Sequence, residues 1–222
     1  MEFRQFSPRP KFVFEMIASN GVENGLEKAT RKKKVLVTGF AAFHNFKINA
    51  SFEVARFLDR YEGTDYQLEA WPFSIKTEYK YVSHIVRRLW REQFDLLVHI
   101  GIASGTVVRA EQRARREPYA NADNAGRLLT APFSSDLPRE LQTDLPLDDI
   151  PFISNAQVSI DAGLFLCEYI YFHSLLIAQN KGRKVFFIHV PPNASPDEVV
   201  QTCGTVIQML DALMKHVPFE KA

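Results

Sequence analysis

Short apolar runs alternate along the chain with segments in which apolar residues recur every three or four positions. The runs Lys33–Gly39, Asp95–Gly101 and Lys184–Val190 have the composition of buried strands, and Tyr66–Phe73 indicates a further strand broken at Pro72. Strands that alternate with amphipathic helices predict an α/β fold, here a three-layer α/β/α sandwich with a largely parallel, mixed central sheet. Functional groups in such folds gather at the carboxyl ends of the strands.

Helices are predicted where a capping residue precedes an apolar stripe. Asn49 can cap a short helix, and the stripe over residues 79–90 predicts a second one. Ser195 followed by Pro196, with Glu198 three residues after the serine, is a strong helix start.

Another helix is predicted to begin at Ser159 or Asp161, to contain Cys167, and to stop over residues 179–182, where a glycine ends the apolar pattern. The segment between Tyr119 and Asp149 is rich in Asn, Asp, Pro and Gly. It is predicted to be irregular and to contribute little to the core.

The length of 222 residues and a charged fraction of 24% fit one globular domain. We expect residues 31–222 to form that single α/β domain and residues 1–30 to be a flexible N-terminal extension. A net charge of +1 indicates neither nucleic acid nor an anionic membrane as a partner. No apolar run approaches the ~20 residues that span a bilayer. Two cysteines and no signal peptide favour a reducing compartment, so we expect a cytoplasmic protein.

The cysteines and histidines are the candidates for chemistry. Cys203 lies on the apolar face of the last helix and is expected to be buried and inert. Cys167 stands early in its helix, where the dipole would stabilise a thiolate, yet its apolar neighbours are equally compatible with a core cysteine. His189, at the end of a strand, is placed to face a cleft or to be structural, whereas His99 is expected to be a packed strand residue.

Metal and nucleotide motifs are missing from the sequence. It contains no CxxC, no HExxH, no phosphate-binding loop with its lysine and no dinucleotide glycine pattern. What remains is Cys–His chemistry without a cofactor.

Several segments follow one another in a characteristic order. They are VLVTGFAAF at 35–43, NAS at 49–51, GIASG at 101–105 with Glu111, DNAG at 123–126, SIDAGLFLC at 159–167 and FIHVP at 187–191. Together they resemble the pyroglutamyl peptidase I (pyrrolidone-carboxylate peptidase) family of cysteine peptidases. The last two segments are the most specific, and the resemblance extends from about Val35 to the final helix.

The resemblance implies a thiol protease, a hydrolase that removes an N-terminal pyroglutamyl (5-oxoprolyl) residue from peptides. It assigns Cys167 as nucleophile, His189 as base and Glu111 as the residue that orients the base, with a thioester intermediate. We expect His189 and the helix N-terminus to lower the pKa of the thiol. The family works without a cofactor or metal, and its members are often homo-oligomers.

The same resemblance places the substrate-binding residues. Phe40 and Phe43 correspond to aromatic walls for the lactam ring, the backbone of Ile102 corresponds to its hydrogen-bonding partner, and Asn49 belongs to the same site. A pyroglutamyl terminus has no ammonium group, so an apolar pocket with a few backbone partners suits it. Core packing is the alternative role for the two phenylalanines.

Departures from the family pattern leave other functions open. His44-Asn45 replaces a usual Gly-Gly, and the stretch from Gly101 to Glu111 is one residue short. The alternative is therefore a catalytically weak homologue that binds blocked peptide N-termini without turnover. A third hypothesis is a thiol hydrolase acting on another small amide.

A further departure concerns a basic residue. Ala120 stands three positions before Asp123, where a basic side chain is common in the family. Arg115 or Arg116 could take its place.

Overall fold

The central sheet is built from parallel strands at one edge and a reversed pair at the other. The computed structural model describes residues 31–43, 46–119, 121–131, 133–151 and 153–217. The expected N-terminal extension, residues 1–30, lies outside them. The strands are β1 (Lys33–Gly39), β2 (Tyr66–Ala70), β3 (Leu96–Ile102), β4 (Val108–Glu111), β5 (Arg113–Arg115), β6 (Glu140–Gln142), β7 (Ala156–Ser159) and β8 (Lys184–Val190). The helices are α1 (Ala50–Leu58), α2 (Tyr79–Leu89), α3 (Leu166–Lys181) and α4 (Pro196–His216).

Within these residues the main sheet has the order β2-β1-β3-β8-β4-β7, and β5 pairs with β6 in a separate antiparallel ribbon. Strands β2, β1, β3 and β8 are parallel, whereas β4 runs antiparallel to β8 and β7 runs parallel to β4. The prediction of a mixed, largely parallel sheet is therefore confirmed. Because β4 is reversed, its last residues lie alongside the middle and carboxyl-terminal half of β8.

Helices cover both faces of the sheet. His99 of β3 contacts Ser174 of α3, so this face of β3 carries α3. Thr38 is the register partner of His99, and the next residue of β1, Gly39, points to the opposite face. A Cβ on Gly39 would lie 2.5 Å from the Cα of Phe52 in α1, so α1 covers that opposite face. Helix α4 packs with α1, and α2 packs with α3.

The predicted caps are present. The Asn49 side chain accepts a hydrogen bond from the Ser51 amide at the start of α1, and Ser195 accepts one from the Glu198 amide at the start of α4. Helix α3 ends at Gly182, whose φ of +62° is the left-handed cap that a glycine provides at low cost.

The predicted start of α3 was wrong. Ser159 is the last residue of β7, and the carboxylate of Asp161 accepts a hydrogen bond from the Gly163 amide, 3.2 Å away. This local turn uses the side chain that could have capped the helix. Helix α3 consequently begins only at Leu166.

The prediction of little core between Tyr119 and Asp149 was also wrong. Tyr119 is fully buried, and Leu141 and Leu147 are nearly so. Leu141 belongs to β6, which pairs with β5 and so folds the segment back onto the domain. Isolated apolar residues in a polar segment show no periodicity, which is why the pattern did not reveal them.

Candidate active site

His189 and Glu111 lie together at the carboxyl end of β8. Glu111 is the register partner of Phe187, so its side chain projects from the same face of the sheet as those of Phe187 and His189. His189 Nδ1 is 2.7 Å from Glu111 Oε1, and the two side chains are 5% and 0% exposed. An ionised carboxylate only accepts hydrogen bonds, so Nδ1 is the donor and Nε2 is left as the basic nitrogen.

Cys167 lies over β3, next to the His189–Glu111 pair. Gly101 is the register partner of His189, so the two residues point to the same face of the sheet. A Cβ built on Gly101 would lie only 2.8 Å from Cys167 Sγ, which places the sulfur over β3 beside His189. The structure thus brings Cys167, His189 and Glu111, the three residues assigned to catalysis, to one place.

The close approach of α3 to β3 depends on a glycine. The same Cβ on Gly101 would also lie 2.7 Å from Phe187 Cζ, well inside van der Waals contact. Any side chain at this position would therefore push the sulfur away or displace the Phe187 ring.

The pKa of Cys167 departs from expectation. Burial raises the pKa of this thiol to about 12, and the carboxylates of Glu111 and Glu168 add to the effect. Cys167 is the second residue of α3, where a helix dipole favours a thiolate, yet the pKa of the thiol is raised rather than lowered. At neutral pH Cys167 is therefore a neutral thiol.

We expect alkylation of Cys167 by iodoacetamide to be slow at neutral pH, because the thiolate is the reacting form. A raised pKa means that the thiolate fraction grows with pH, so the rate should climb about tenfold per pH unit from roughly pH 6 to 9 without a plateau. The measurement is made on Cys203→Ala, which leaves one cysteine. A plateau beginning below about pH 7 would instead indicate a thiolate–imidazolium pair.

A partly buried ion pair holds the start of α3. Glu168 follows the nucleophile and is fully buried, and its Oε1 accepts hydrogen bonds from Arg115 Nε at 2.8 Å and from the Arg115 amide at 2.9 Å. Burial raises the pKa of the Glu168 carboxyl, and the Arg115 guanidinium opposes that rise. Arg115 also pairs with Asp161, so β5 is tied to both ends of the turn that leads into α3.

The two arginines proposed to replace the missing basic residue, Arg115 and Arg116, therefore have different partners. Arg115 lies at the helix that carries Cys167, with its guanidinium engaged by Glu168 and Asp161. Arg116 instead donates to the carbonyls of Pro138 and Ser135. Ala120 is outside the described residues.

An aromatic cluster adjoins the nucleophile. The Phe43 ring lies 5.1 Å from the ring of Phe165, which is two residues before Cys167, and Phe165 lies 5.8 Å from Tyr79. Phe40 is only 3% exposed and belongs to the core. Of the two predicted pocket walls, Phe43 is thus the one that reaches the start of α3. Phe165 was not among the predicted site residues, although its place two residues before Cys167 was visible in the sequence.

The loop that follows β1, called the first loop below, is held from two sides. Asn49 Nδ2 donates to the Ala41 carbonyl at 2.9 Å, and Asn124 Nδ2 donates to the Ala42 carbonyl at 3.0 Å. Asp123, from the same DNAG turn, accepts a hydrogen bond from the Tyr79 amide at the start of α2. Asn49 and the DNAG turn therefore position the backbone that leads to Phe43. His44 and Asn45 are outside the described residues.

The backbone of Ile102 faces the same space. The Ala103 amide donates to the Val190 carbonyl, so the amide and carbonyl of the preceding residue, Ile102, point the other way, towards β1. The pairing between β1 and β3 ends at Gly39 and Ile100, two residues before Ile102. The Ile102 amide and carbonyl therefore lie beyond the carboxyl end of β1, where the first loop begins.

A second histidine on this face is structural. His99 is fully buried, with Thr38 Oγ1 2.8 Å from Nδ1 and Ser174 Oγ 2.9 Å from Nε2. Burial lowers its pKa to about 3, so it stays neutral. His99 joins β1 and β3 to α3 two turns beyond Cys167, which confirms the prediction of a packed strand residue.

Two kinds of site are not found among the described residues. No group of histidine, cysteine and carboxylate side chains there is arranged to hold a metal ion. No helix in that part of the chain has the length and apolar character needed to cross a membrane.

A thiol at the start of a helix, facing an imidazole and a carboxylate on neighbouring strands of an α/β/α sandwich, is an arrangement that cysteine peptidases use. The chain belongs to the pyroglutamyl peptidase family, whose model matches residues 33–215. It is 29% identical over 199 residues to pyroglutamyl-peptidase 1 of Homo sapiens, covering 82% of this chain and 92% of the relative. It is 28% identical over 207 residues to the pyrrolidone-carboxylate peptidase of Fusobacterium nucleatum, covering 83% and 89%.

Solved structures share the fold. The pyrrolidone carboxyl peptidase from Fervidobacterium islandicum AW-1 aligns with a TM-score of 0.72 at 20% identity, covering 84% of this chain and 100% of that one. Pyroglutamyl peptidase I from Bacillus amyloliquefaciens aligns with a TM-score of 0.69 at 22% identity, covering 82% and 97%. The family resemblance found in the sequence is confirmed.

Proposed function

We propose that this protein is a cysteine omega-peptidase that hydrolyses the bond after an N-terminal pyroglutamyl residue. The observation that carries the proposal is the placement of Cys167 Sγ over Gly101, beside a His189 ring that is hydrogen-bonded to Glu111 at 2.7 Å. The relatives named pyroglutamyl-peptidase 1 and pyrrolidone-carboxylate peptidase support the substrate.

The reaction begins from a neutral thiol. His189 Nε2 takes the proton of Cys167 as the sulfur attacks the exocyclic carbonyl carbon of the pyroglutamyl residue. The imidazolium then gives this proton to the leaving amine, the C–N bond breaks, and a thioester remains. Water attacks the thioester while His189 takes its proton, and the thiolate leaves and is reprotonated. Glu111 keeps the ring oriented and stabilises its positive charge in both halves.

The start of α3 supplies donors for the oxyanion. Its N-cap residue, Phe165, makes no side-chain capping hydrogen bond, in contrast to Asn49 of α1 and Ser195 of α4. The first backbone amides of a helix have no partner within the helix. Amides at Cys167 are therefore placed to stabilise the negative oxygen that forms twice along this path.

Specificity rests on the space between the first loop and α3. Phe43 and Phe165 offer flat apolar surfaces, and the Ile102 amide and carbonyl match the C=O and N–H of a lactam. A prolyl terminus has a similar ring but a charged amine, which would be buried here without a partner.

The test compares release of an arylamine from pyroglutamyl and prolyl arylamides by the reduced, full-length protein. We expect kcat/KM for the pyroglutamyl compound to be at least ~100-fold higher, since an unpaired buried charge costs several kcal/mol. Equal rates would favour a hydrolase for another small amide. No turnover by folded protein, with the pyroglutamyl compound still bound, would favour the binding homologue.

Two further properties stay predictions, namely the cytoplasmic location expected from the sequence and the homo-oligomeric assembly that the resemblance implies. Both cysteines are free thiols, which suits a reducing compartment.

A further inference from the structure

A connecting segment, residues 160–165, joins β7 to α3. The structure describes this segment in full, and it contains no helix or strand. Cys167 follows it by two residues. An irregular segment does not by itself fix the helix that comes after it. The place of the Cys167 sulfur therefore depends on the contacts made by the connecting segment and by the first turn of α3.

Strand β5 directs two arginines at this region. Arg113 and Arg115 are two positions apart in the strand, so their side chains leave the same face of the ribbon. Arg113 Nε donates to the Ile160 carbonyl at 2.8 Å, and Arg113 Nη1 pairs with Glu140 Oε2 at 2.7 Å. Arg113 thus contacts the beginning of the connecting segment, whereas Arg115 contacts both the segment and the helix after it.

Arg115 bridges two carboxylates. Its Nε lies 2.8 Å from Glu168 Oε1 and its Nη2 lies 3.3 Å from Glu168 Oε2, so the guanidinium and the carboxylate meet in a bidentate pair. Nη2 also donates to the carboxylate of Asp161. A lysine ammonium is a single point charge and does not reproduce this planar geometry.

Glu168 is a buried carboxylate that the proposed reaction does not use. It is fully buried in the first turn of α3, directly after Cys167. A buried carboxylate is costly unless it is paired and hydrogen-bonded. Arg115 supplies three donors to it, namely the backbone amide, Nε and Nη2. This pairing fixes Glu168, and with it the adjoining backbone of Cys167.

Polar contacts between α3 and the sheet lie further along the helix. The Tyr171 hydroxyl donates to the Glu111 carbonyl at 2.8 Å, one turn past Cys167, and Ser174 contacts β3 two turns past it. These contacts hold the body of α3 on the sheet. The first turn is held from the ribbon, by Arg115.

The same arginine balances charge beside the sulfur. Burial, and after it the carboxylates of Glu111 and Glu168, raise the pKa of Cys167. Glu111 is paired with His189, and Glu168 is paired with Arg115. Without Arg115, the negative charge of Glu168 would act unopposed on the thiolate and the oxyanion of the proposed reaction.

We propose that Arg115 is a positioning residue for this reaction. By bridging Glu168 and Asp161 it holds the first turn of α3 in place. That turn carries Cys167 and the amides that stabilise the oxyanion, so its position decides how the sulfur and these donors meet the scissile carbonyl. Arg115 acts through Glu168 rather than on the reacting atoms. The inference rests on the proposed function, because it takes the role of Cys167 from it.

The test compares Arg115→Lys with the matched control Arg113→Lys. Both changes keep the positive charge, and the two arginines lie in the same strand with 27% and 29% of their side chains exposed. For Arg115→Lys we expect kcat for the pyroglutamyl arylamide to fall roughly 10–100-fold, since a displacement of about 1 Å can cost ~10²-fold. KM should change less than about threefold, because the first loop and Ile102 still hold the ring.

Arg113→Lys should keep kcat within about twofold of the wild type, because it loses contacts with the connecting segment and the ribbon but none with α3. Rates are measured well below the melting temperature of each variant, so that a loss of stability alone does not lower kcat. Wild-type kcat in Arg115→Lys, or an equal fall in Arg113→Lys, would overturn the proposal.

Hydrogen exchange tests the same role without turnover. In Arg115→Lys the amides of residues 164–170 should exchange at least ~10-fold faster than in the wild type, while those near Ser174 stay protected. Unchanged exchange at the start of α3 rejects the proposal.

If Arg115→Lys does not fold, Asp161→Ala decides, because Asp161 is 70% exposed and forms the outer half of the bridge. A fall in kcat of about threefold or more supports the proposal, and wild-type kcat rejects it. Absence of arylamide turnover by the wild type instead rejects the peptidase, and the exchange measurement still tests whether Arg115 holds α3.

Discussion

Cys167→Ala is expected to lower kcat/KM for a pyroglutamyl arylamide by roughly 10⁴-fold or more, to the background rate. Alanine removes the sulfur that we propose forms the thioester, while the proposed oxyanion donors and the pocket remain. The small side chain fits the space over Gly101 without strain, so the melting temperature should change little. Initial rates over a range of substrate concentrations measure the loss.

The matched control is Cys203→Ala. Cys203 is 1% exposed in α4, and its sulfur lies 3.8 Å from the Val54 carbonyl on the face of the sheet opposite His189. This variant should be less stable because it leaves a small cavity, but it should keep wild-type kcat/KM. Retention of more than about one hundredth of the wild-type rate by Cys167→Ala would exclude the thioester mechanism.

Glu111→Gln should lower kcat/KM by roughly 10³–10⁴-fold with the fold intact. A glutamine fills the same buried volume but is neutral, so it no longer stabilises the imidazolium. Its amide also allows the His189 tautomer in which Nδ1 is the bare nitrogen and Nε2 cannot act as base. We expect the fall mainly in kcat, measured with the pyroglutamyl arylamide.

Glu69→Gln is the corresponding control. Glu69 lies in β2 at the opposite edge of the sheet, where it pairs with Lys34, and its side chain is half exposed. Loss of a surface ion pair costs at most about 1 kcal/mol of stability and should leave the rate unchanged. A Glu111→Gln enzyme within tenfold of the wild type would show that His189 needs no carboxylate partner.

Strand ends and caps were the parts of the fold that local sequence could predict. Glycine or proline closes β1, β3 and β8 in the sequence, and the Asn49 and Ser195 caps depend on residues close by. The start of α3 was predicted wrongly because the Asp161 side chain can either cap a helix or close a local turn. In the structure it closes the turn. Local pattern does not decide between two such uses.

The site was only partly predictable for a related reason. The resemblance named Cys167, His189 and Glu111, but the pairing of His189 with Glu111 joins residues 78 positions apart through a reversed strand. The order and direction of strands in a sheet are tertiary properties, and no local pattern encodes them. The contact of Arg115 with Glu168, across 53 positions, was invisible for the same reason.

The raised pKa of Cys167 could not be predicted either. A position early in a helix favours a lowered pKa, whereas burial and the carboxylates of Glu111 and Glu168, which only the packed structure reveals, raise it.

His189 and Glu111 are part of the sheet, whereas Cys167 belongs to a helix of the adjoining layer. His99 and Ser174 join those layers in the same stretch of α3. A refolding chain that has formed its strands and helices but has not yet docked α3 therefore has all three reactive groups and no active site. Recovery of activity during refolding consequently reports the docking of one helix on the sheet, a later event than the formation of secondary structure.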